Sequence, residues 1–310
     1  MNTALLCSGQ GSQYVGMIQD IASAHPQIEQ LINQADEVVG YPLSQICFHG
    51  PIEKLKETRY TQPALFLHSA SIFEIIKNKI NFKAIAGHSV GEYAALYIAG
   101  VLSFDDAINL VALRGQLMFT AGEHTPGTMF AIINLDDEKI KEICSQISNP
   151  TNELWVVPAN FNSPGQVVVS GNADHLRNNI HLFKEAGARM TKELLVSGAF
   201  HSPLMSPAQN QLKMAINSIQ FKDAKVPVYV NVTALPLTKA EEIRSALITQ
   251  LTAPVLWTKT INNMFEDGIN EYIEIGAGNV LQGLVKKILN EKNTEITIRG
   301  FDKEVDLKEL

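Results

Sequence analysis

The stretch Ile85-Ala86-Gly87-His88-Ser89-Val90-Gly91-Glu92-Tyr93 constrains this chain more than any other. Ala84 to Ala86 are small and apolar, as in a strand buried on both faces. Ala94, Ala95, Leu96, Ile98 and Ala99 continue as a buried helix. Between them stands Gly-x-Ser-x-Gly, the spacing of a strand–turn–helix elbow that carries a nucleophile. Two glycines flank the serine because so sharp a turn leaves no room for side chains beside it. A serine there presents its hydroxyl at a helix N-terminus, where first-turn N–H groups and the helix dipole favour negative charge. That is where an oxyanion forms during acyl transfer.

Strand and helix patterns alternate along the rest of the chain, which predicts a mainly parallel sheet covered on both faces. Thr3 to Cys7 reads as the first strand and leads into Ser8-Gly9-Gln10-Gly11-Ser12-Gln13. That loop has three readings: a phosphate loop, a plain strand-to-helix turn, or a donor of one N–H to an oxyanion. It lacks the Lys-Ser/Thr ending of a nucleotide loop and the spacing of a dinucleotide fingerprint. Helices are predicted over Pro26–Val39, ending at Gly40, and over Thr61–Ile80, where Pro63 falls early enough to be tolerated. His68 lies in an apolar run and reads as a packing residue. Ser103 is a predicted N-cap for the next helix. Arg114 sits inside that helix's apolar stretch and must be paired, either by a structural salt bridge or by an anionic ligand held in its planar fork.

From Pro126 the pattern changes. Strands at Thr128–Asn134, Leu154–Asn160, Gln166–Ser170 and Arg189–Val196 alternate with helices at Asp136–Ser148 and Asn172–Ala186. This βαββαβ order predicts a ferredoxin-like subdomain over residues 126–198, with Asn162-Ser163-Pro164-Gly165 as its central turn. It is inserted into an α/β core, α/β-hydrolase-like, made of residues 1–125 and 199–310. The core resumes with Phe200-His201-Ser202-Pro203, a strand at Val226–Val232, a helix at Glu241–Leu251, a strand at Glu271–Ile275, a helix at Asn279–Leu289 and a last strand at Thr294–Arg299.

His201, in a loop between Gly198 and Pro203, is either the base for Ser89 or part of a helix-capping loop. No acid between Ser89 and His201 stands alone at a strand end. The expected arrangement is therefore a dyad whose histidine is oriented by a carbonyl or amide, not a triad. The net charge of −7 gives no support to nucleic-acid binding. Cys7, Cys47 and Cys144 are odd in number and far apart, which fits neither a disulfide framework nor a metal site and suits a reducing cytoplasm. No apolar run approaches a membrane span, the first residues lack a secretory n-region, and Lys308-Glu309-Leu310 is not a complete retention signal.

Taken in order, Gly9-Gln10-Gly11-Ser12-Gln13, Gly87-His88-Ser89-Val90-Gly91-Glu92-Tyr93, Arg114-Gly115, Asn162-Ser163-Pro164-Gly165-Gln166, Phe200-His201-Ser202-Pro203-Leu204-Met205 and Glu274-Ile275-Gly276 resemble the motifs of the malonyl-CoA:acyl carrier protein transacylases. These enzymes load carriers for type II fatty acid synthesis, and the resemblance spans nearly the whole chain. It implies that Ser89 carries the malonyl ester, His201 is its base, and the N–H groups of Gln10 and Val90 form the oxyanion hole. It implies that Arg114 grips the malonyl carboxylate and that the Gln250 carbonyl holds His201. Gln62 and Asn160 would line the pocket, and Phe200 matches the malonyl-selective form of the family. Two positions depart from the pattern: Cys7-Ser8 replaces a common Phe-Pro, and Ala277 stands where proline is usual. Both concern loop stiffness.

The expected partners are malonyl-CoA and the phosphopantetheine arm of an acyl carrier protein, with no metal, no bound cofactor, no nucleic acid and no membrane, in a cytoplasmic monomer. Arg189, Lys192, Lys286 and Lys287 are candidates for carrier docking. The rival readings are a free-standing polyketide acyltransferase, a serine hydrolase or thioesterase, and a non-catalytic carrier-binding module.

Overall fold

The computed structural model describes residues 1–290, 292 and 295–308. Ten strands form two sheets: β1 (Thr3–Cys7), β2 (Ala84–Gly87), β3 (Gly127–Ile133), β4 (Val156–Ser163), β5 (Gln166–Asn172), β6 (Met190–Glu193), β7 (Val228–Tyr229), β8 (Pro236–Leu237), β9 (Glu271–Ile275) and β10 (Thr297–Phe301). The larger sheet has the order β10-β9-β1-β2-β7-β8 and is parallel except for β8 at its edge. The smaller sheet, β4-β5-β3-β6, is antiparallel.

Alternation along the parallel strands builds two cores. Leu5, Cys7, Ile85, Ile273 and Ile275 face the larger one, while Ala4, Leu6, Ala84, Ala86 and Tyr272 face the other. A strand buried on both faces is mostly apolar, which is why Ala4–Cys7 and β2 read as near-continuous apolar runs, and the buried polar exceptions, Thr3, Glu271 and Glu274, are hydrogen-bonded. A third cluster, including Phe130, Ile140, Val167 and Phe183, fills the antiparallel part.

Register places the loops. Cys7 pairs with Gly87 on one side and with Ile275 on the other, so β1, β2 and β9 end level. The loops that leave those ends, Ser8–Gln13, His88–Val90 and Gly276–Gly278, therefore meet at the carboxyl edge of the sheet, where crevices form in α/β folds. The smaller sheet is tied to the same edge. Phe161 donates its N–H to the Val255 carbonyl and Val255 donates to Ala159, which joins β4 to the segment after the helix Ala240–Gln250.

Several boundaries differ from expectation. The helix predicted from Thr61 starts at Thr58 and ends at Ile76, so Pro63 lies inside it. Proline cannot donate to the Arg59 carbonyl one turn back, and the Tyr41 hydroxyl donates to it instead. The helix predicted over Asn172–Ala186 is interrupted at Ile180. The strand predicted over Val226–Val232 keeps only Val228 and Tyr229 in the ladder. Val230 donates to the Leu235 carbonyl and Asn231 donates to Glu92, so neither N–H is free to extend the pairing. The last strand runs Thr297–Phe301; Thr294, its expected start, lies outside the described residues. Among the described residues no helix is long and apolar enough to cross a membrane.

Candidate active site

The elbow forms because its glycines permit contacts no other residue could. A Cβ on Gly87 would lie 2.0 Å from the Gly91 carbonyl, and one on Gly91 would lie 2.3 Å from the Cys7 carbonyl oxygen. Both are far inside contact distance, so β2, the turn and β1 can close only without those side chains. Ser89 itself adopts the left-handed region at φ 52°, a conformation that costs an L-residue on the order of 1–3 kcal/mol. The helix Gly91–Ile98 then begins directly behind it.

His201 is brought to the serine by the loop after the antiparallel sheet. Its backbone is also left-handed, at φ 56°, and the Ser202 hydroxyl, which donates to the Ala199 carbonyl, holds the loop. His201 Nε2 lies 2.8 Å from Ser89 Oγ. Its Nδ1 faces two carbonyls, Gln250 at 3.0 Å and Ala253 at 3.1 Å. Carbonyls only accept, so Nδ1 carries the proton and Nε2 presents a lone pair to the serine hydroxyl. Burial, and after it the Arg114 charge, push the imidazole down to about 3. His201 is therefore neutral and competent as an acceptor at any ordinary pH.

Arg114 has no exposure at all. One Nη donates to Gln62 Oε1 at 2.7 Å; the other donates to Gln250 Oε1 at 3.0 Å and Ser89 Oγ at 3.1 Å. Its Nε has no hydrogen-bond partner among the described residues, and its guanidinium carbon sits 5.6 Å from the centre of the Tyr93 ring. Among the described residues no carboxylate makes an ion pair with it. Of the two sequence readings for Arg114, the structural salt bridge is therefore absent, and a buried cation stands beside the serine with acceptors that are all neutral. The helix Phe104–His124 can bring it there because Gly115 lies against the chain at Thr58 and Arg59, where a Cβ would be 2.9 Å from the Thr58 carbonyl.

The N–H groups of Val90 and Gln10 do not donate to any acceptor among the described residues. Their placement follows from the level ends of β1 and β2. The Gln10 side chain turns away and donates to Thr58 Oγ1 at 3.3 Å. Gln62 is buried, held between Arg114 and Met118 Sδ. Phe200 is buried in the main core next to His201. Asn160 sits at an irregularity in β4 and makes no side-chain hydrogen bond to Ser89, His201 or Arg114. Asn162, expected only as a turn residue, instead faces His88, with Oδ1 2.8 Å from Nε2. His88 also packs edge-on against Trp257, and burial lowers its proton affinity. A cleft of about 650 Å³ opens beside His201, with Val157, Phe161, Pro203, Pro254 and Leu256 among its walls and Lys141 and Lys259 also lining it.

Two further neighbours of Ser89 have contacts that the sequence did not reveal. Asn231 Oδ1 accepts the Ser89 N–H at 2.7 Å, and its Nδ2 donates to the Gly87 carbonyl at 2.7 Å. Glu92, buried in the first turn of the elbow helix, accepts the Asn231 N–H at 2.7 Å. Burial raises its carboxyl to about 7, against the lowering pull of that N–H, of Gln250 and of Arg114. A polar residue among Val228-Tyr229-Val230-Asn231-Val232 was the available signal, since a buried amide must be hydrogen-bonded.

A serine hydroxyl beside a neutral imidazole, two N–H groups without an acceptor among the described residues, and a buried cation without a carboxylate partner among them form an arrangement able to transfer an anionic acyl group. The chain matches the acyl transferase domain family over residues 4–306. It is 44% identical to the malonyl CoA-acyl carrier protein transacylase of Haemophilus influenzae, over 93% of this chain and 92% of that protein. It is 41% identical to the enzyme of that name from Bacillus subtilis, over 92% and 90%. An acyl carrier protein S-malonyltransferase from Vibrio cholerae superposes with a TM-score of 0.93 at 39% identity, covering 100% of this chain and 99% of the other. A type II polyketide acyl carrier protein in complex with its malonyl-transacylase matches at 0.92 and 40% identity, covering 99% and 98%.

Proposed function

The chain belongs to the acyl transferase domain family, and from that premise we propose that it moves a malonyl group from malonyl-CoA to the phosphopantetheine thiol of an acyl carrier protein. The observation that carries the reading is Arg114: buried, without a carboxylate partner among the described residues, and 3.1 Å from the serine hydroxyl. The malonyl carboxylate supplies the missing anion. A planar fork suits it, and acetyl-CoA would leave the guanidinium unpaired.

The reaction is a ping-pong transfer. Ser89 Oγ attacks the thioester carbon while its proton passes to His201 Nε2. The oxyanion of the tetrahedral intermediate takes hydrogen bonds from the Val90 and Gln10 N–H groups. The C–S bond breaks, the leaving thiolate takes the proton back from His201, and the malonyl-serine ester remains. The carrier thiol then gives its proton to His201 Nε2 and attacks the ester, and Ser89 leaves with that proton. The Gln250 and Ala253 carbonyls hold the imidazole in the tautomer each step needs. The loss of one oxyanion donor costs roughly 3–4 kcal/mol, and the loss of the base on the order of 10²–10⁴ in rate. Gln62 orients Arg114, Phe200 narrows the acyl pocket against a methyl branch, Asn160 lines its rim, and the apolar cleft beside His201 suits an uncharged pantetheine chain.

In architecture, residues 1–125 and 199–310 form the catalytic core, related to α/β-hydrolases through its strand–turn–helix elbow. Residues 126–198 form the inserted ferredoxin-like subdomain, an assignment supported by its own core and by the strand order β4-β5-β3-β6. Arg189 and Lys192, next to and on β6, stand at the far edge of that sheet from β4, roughly 14 Å away at ordinary strand spacing. The helix Val280–Leu289, which carries Lys286 and Lys287, packs against β4. The four cations are thus two separate patches, and a carrier engages one of them.

The test is intact mass after mixing with malonyl-CoA, with acetyl-CoA as control. One malonyl adduct, absent in Ser89→Ala and discharged by a holo carrier protein, is the expected result. Rapid release of free malonate would instead indicate a hydrolase. The similarity to a transacylase complexed with a polyketide carrier keeps a second cognate pathway open. Competition between fatty-acid and polyketide carriers for the loaded enzyme separates the two.

A further inference from the structure

The backbone of Ser89 is held on both sides, at its N–H and at its carbonyl, by side chains remote in sequence. Asn231 Oδ1 accepts its N–H at 2.7 Å, and Gln250 Nε2 donates to its carbonyl at 3.0 Å. The same Asn231 carboxamide donates to the Gly87 carbonyl, so one rigid group spans the turn from strand end to nucleophile. Register explains its position: Ala86 pairs with Tyr229, which sets Asn231, two residues on, level with His88 and Ser89. Glu92 closes the ring from the elbow helix by accepting the Asn231 N–H.

The bond pattern is selective. It requires an acceptor toward Ser89 and a donor toward Gly87 on one short side chain. Among the twenty residues only asparagine supplies both at that length, since glutamine is a methylene too long and an ionised aspartate has no donor. The Ser89 N–H is tied down at the residue that bears the strained φ of 52°, and such strain persists only where surrounding contacts over-determine it. We propose that Asn231 is a positioning residue for the transferase: with the Gln250 side chain it fixes the left-handed peptide of Ser89 and so aims Oγ at His201 Nε2. This rests on the acyl-transfer reading, and it adds a residue outside the sequence motifs.

The experiment compares Asn231→Ala and Asn231→Asp with the wild type. Malonyl loading is followed by rapid-quench mass spectrometry, and Ser89 reactivity by inactivation with a fluorophosphonate, which carries no carboxylate for Arg114. In Asn231→Ala we expect kcat for loading to fall on the order of 100-fold, the effect of about 1 Å of misplacement. KM for malonyl-CoA stays unchanged, because Arg114 is untouched, and fluorophosphonate inactivation slows by the same factor. In Asn231→Asp, a protonated carboxyl reproduces the amide's donor and acceptor, so activity is low near pH 8 and recovers as the pH falls toward about 5. That recovery is a readout that a purely structural role would not produce. Wild-type kcat in Asn231→Ala would overturn the proposal. So would a folded Asn231→Asp that shows no recovery at low pH, and this variant decides the matter alone if the alanine protein does not fold. If the wild type takes up no malonyl but reacts with the fluorophosphonate, the substrate reading fails while the positioning role is still measured.

Discussion

Arg114 donates to Ser89 Oγ across 3.1 Å while having no ion-pair partner among the described residues. On the proposed reading this makes the selector of the acyl group and the nucleophile neighbours, and losing the first should change what the second accepts. Arg114→Ala should lower the ratio of kcat/KM for malonyl-CoA over acetyl-CoA by roughly 10⁴, the range found when a buried polar partner decides between analogues. Arg114→Lys should recover only part of it, because a point charge lacks the planar fork. Unchanged selectivity in the alanine variant would exclude Arg114 as the selector.

Burial and the adjacent Arg114 charge hold the His201 imidazole at about 3. Ser89 reactivity toward a fluorophosphonate should therefore stay flat as the pH falls through 6.5, where an unperturbed histidine would shut it off. Removing the charge in Arg114→Ala should move the acid limb upward. A limb near pH 6.5 in the wild type would contradict the geometry of the site. The sign for stability follows from the same shift. The unfolded chain binds this proton at the ordinary value and the folded chain does not, so stability falls as the pH drops from about 6.5 toward 3.

Glu92 acts in the opposite sense. Its carboxyl rises from 4.5 to about 7 through burial, so the folded state holds a proton that the unfolded state has lost. The resulting stability is present below pH 4.5 and is lost as the pH rises through 7, a difference of roughly 3 kcal/mol. Glu92→Gln keeps an acceptor for the Asn231 N–H and removes the titration. Its melting temperature relative to the wild type should climb between pH 5 and pH 8. Parallel curves for the two proteins would place the titrating group elsewhere.

Ser89, His201 and Arg114, which the structure brings together, stood out in the sequence as candidates because each breaks a local pattern for a chemical reason: a serine between glycines, a histidine between Gly198 and Pro203, a cation in an apolar helix. The parallel sheet was legible because β1 from Ala4 on and the whole of β2 carry only small or apolar residues. Asn231 and Glu92 were not. Asn231 belongs to a strand pattern whose ladder ends early, because Val230 donates to Leu235 and Asn231 to Glu92 on the elbow helix instead. Glu92 sits in the first helical turn, where an acid is expected on dipole grounds alone, so nothing in the sequence showed that it is buried. Asn160 and Asn162 lie on the same strand, and the irregularities of β4 at Pro158/Asn160 and Phe161/Ser163 decide which one faces His88. Register shifts of that kind leave no trace in residue spacing.

The elbow also predicts which glycines can be replaced. A Cβ on Gly91 would meet the Cys7 and Ser8 carbonyl oxygens at 2.3 and 2.8 Å, both backbone atoms that cannot step aside. Relief requires β1 and its loop to move away from the turn, which would draw the Gln10 N–H away from the oxyanion. Gly91→Ala should therefore lose either folding or nearly all transferase activity. Gly283 is the internal control. It lies inside the helix Val280–Leu289, and beyond the helix's own backbone nothing among the described residues comes within 4 Å of its added Cβ. Gly283→Ala should raise stability by about 0.5–1 kcal/mol through reduced unfolded-state entropy, with malonyl transfer unchanged. Thermal denaturation and loading rates on the two variants side by side check both directions, and a Gly91→Ala protein with full activity would show that β1 and the elbow are not locked together as described.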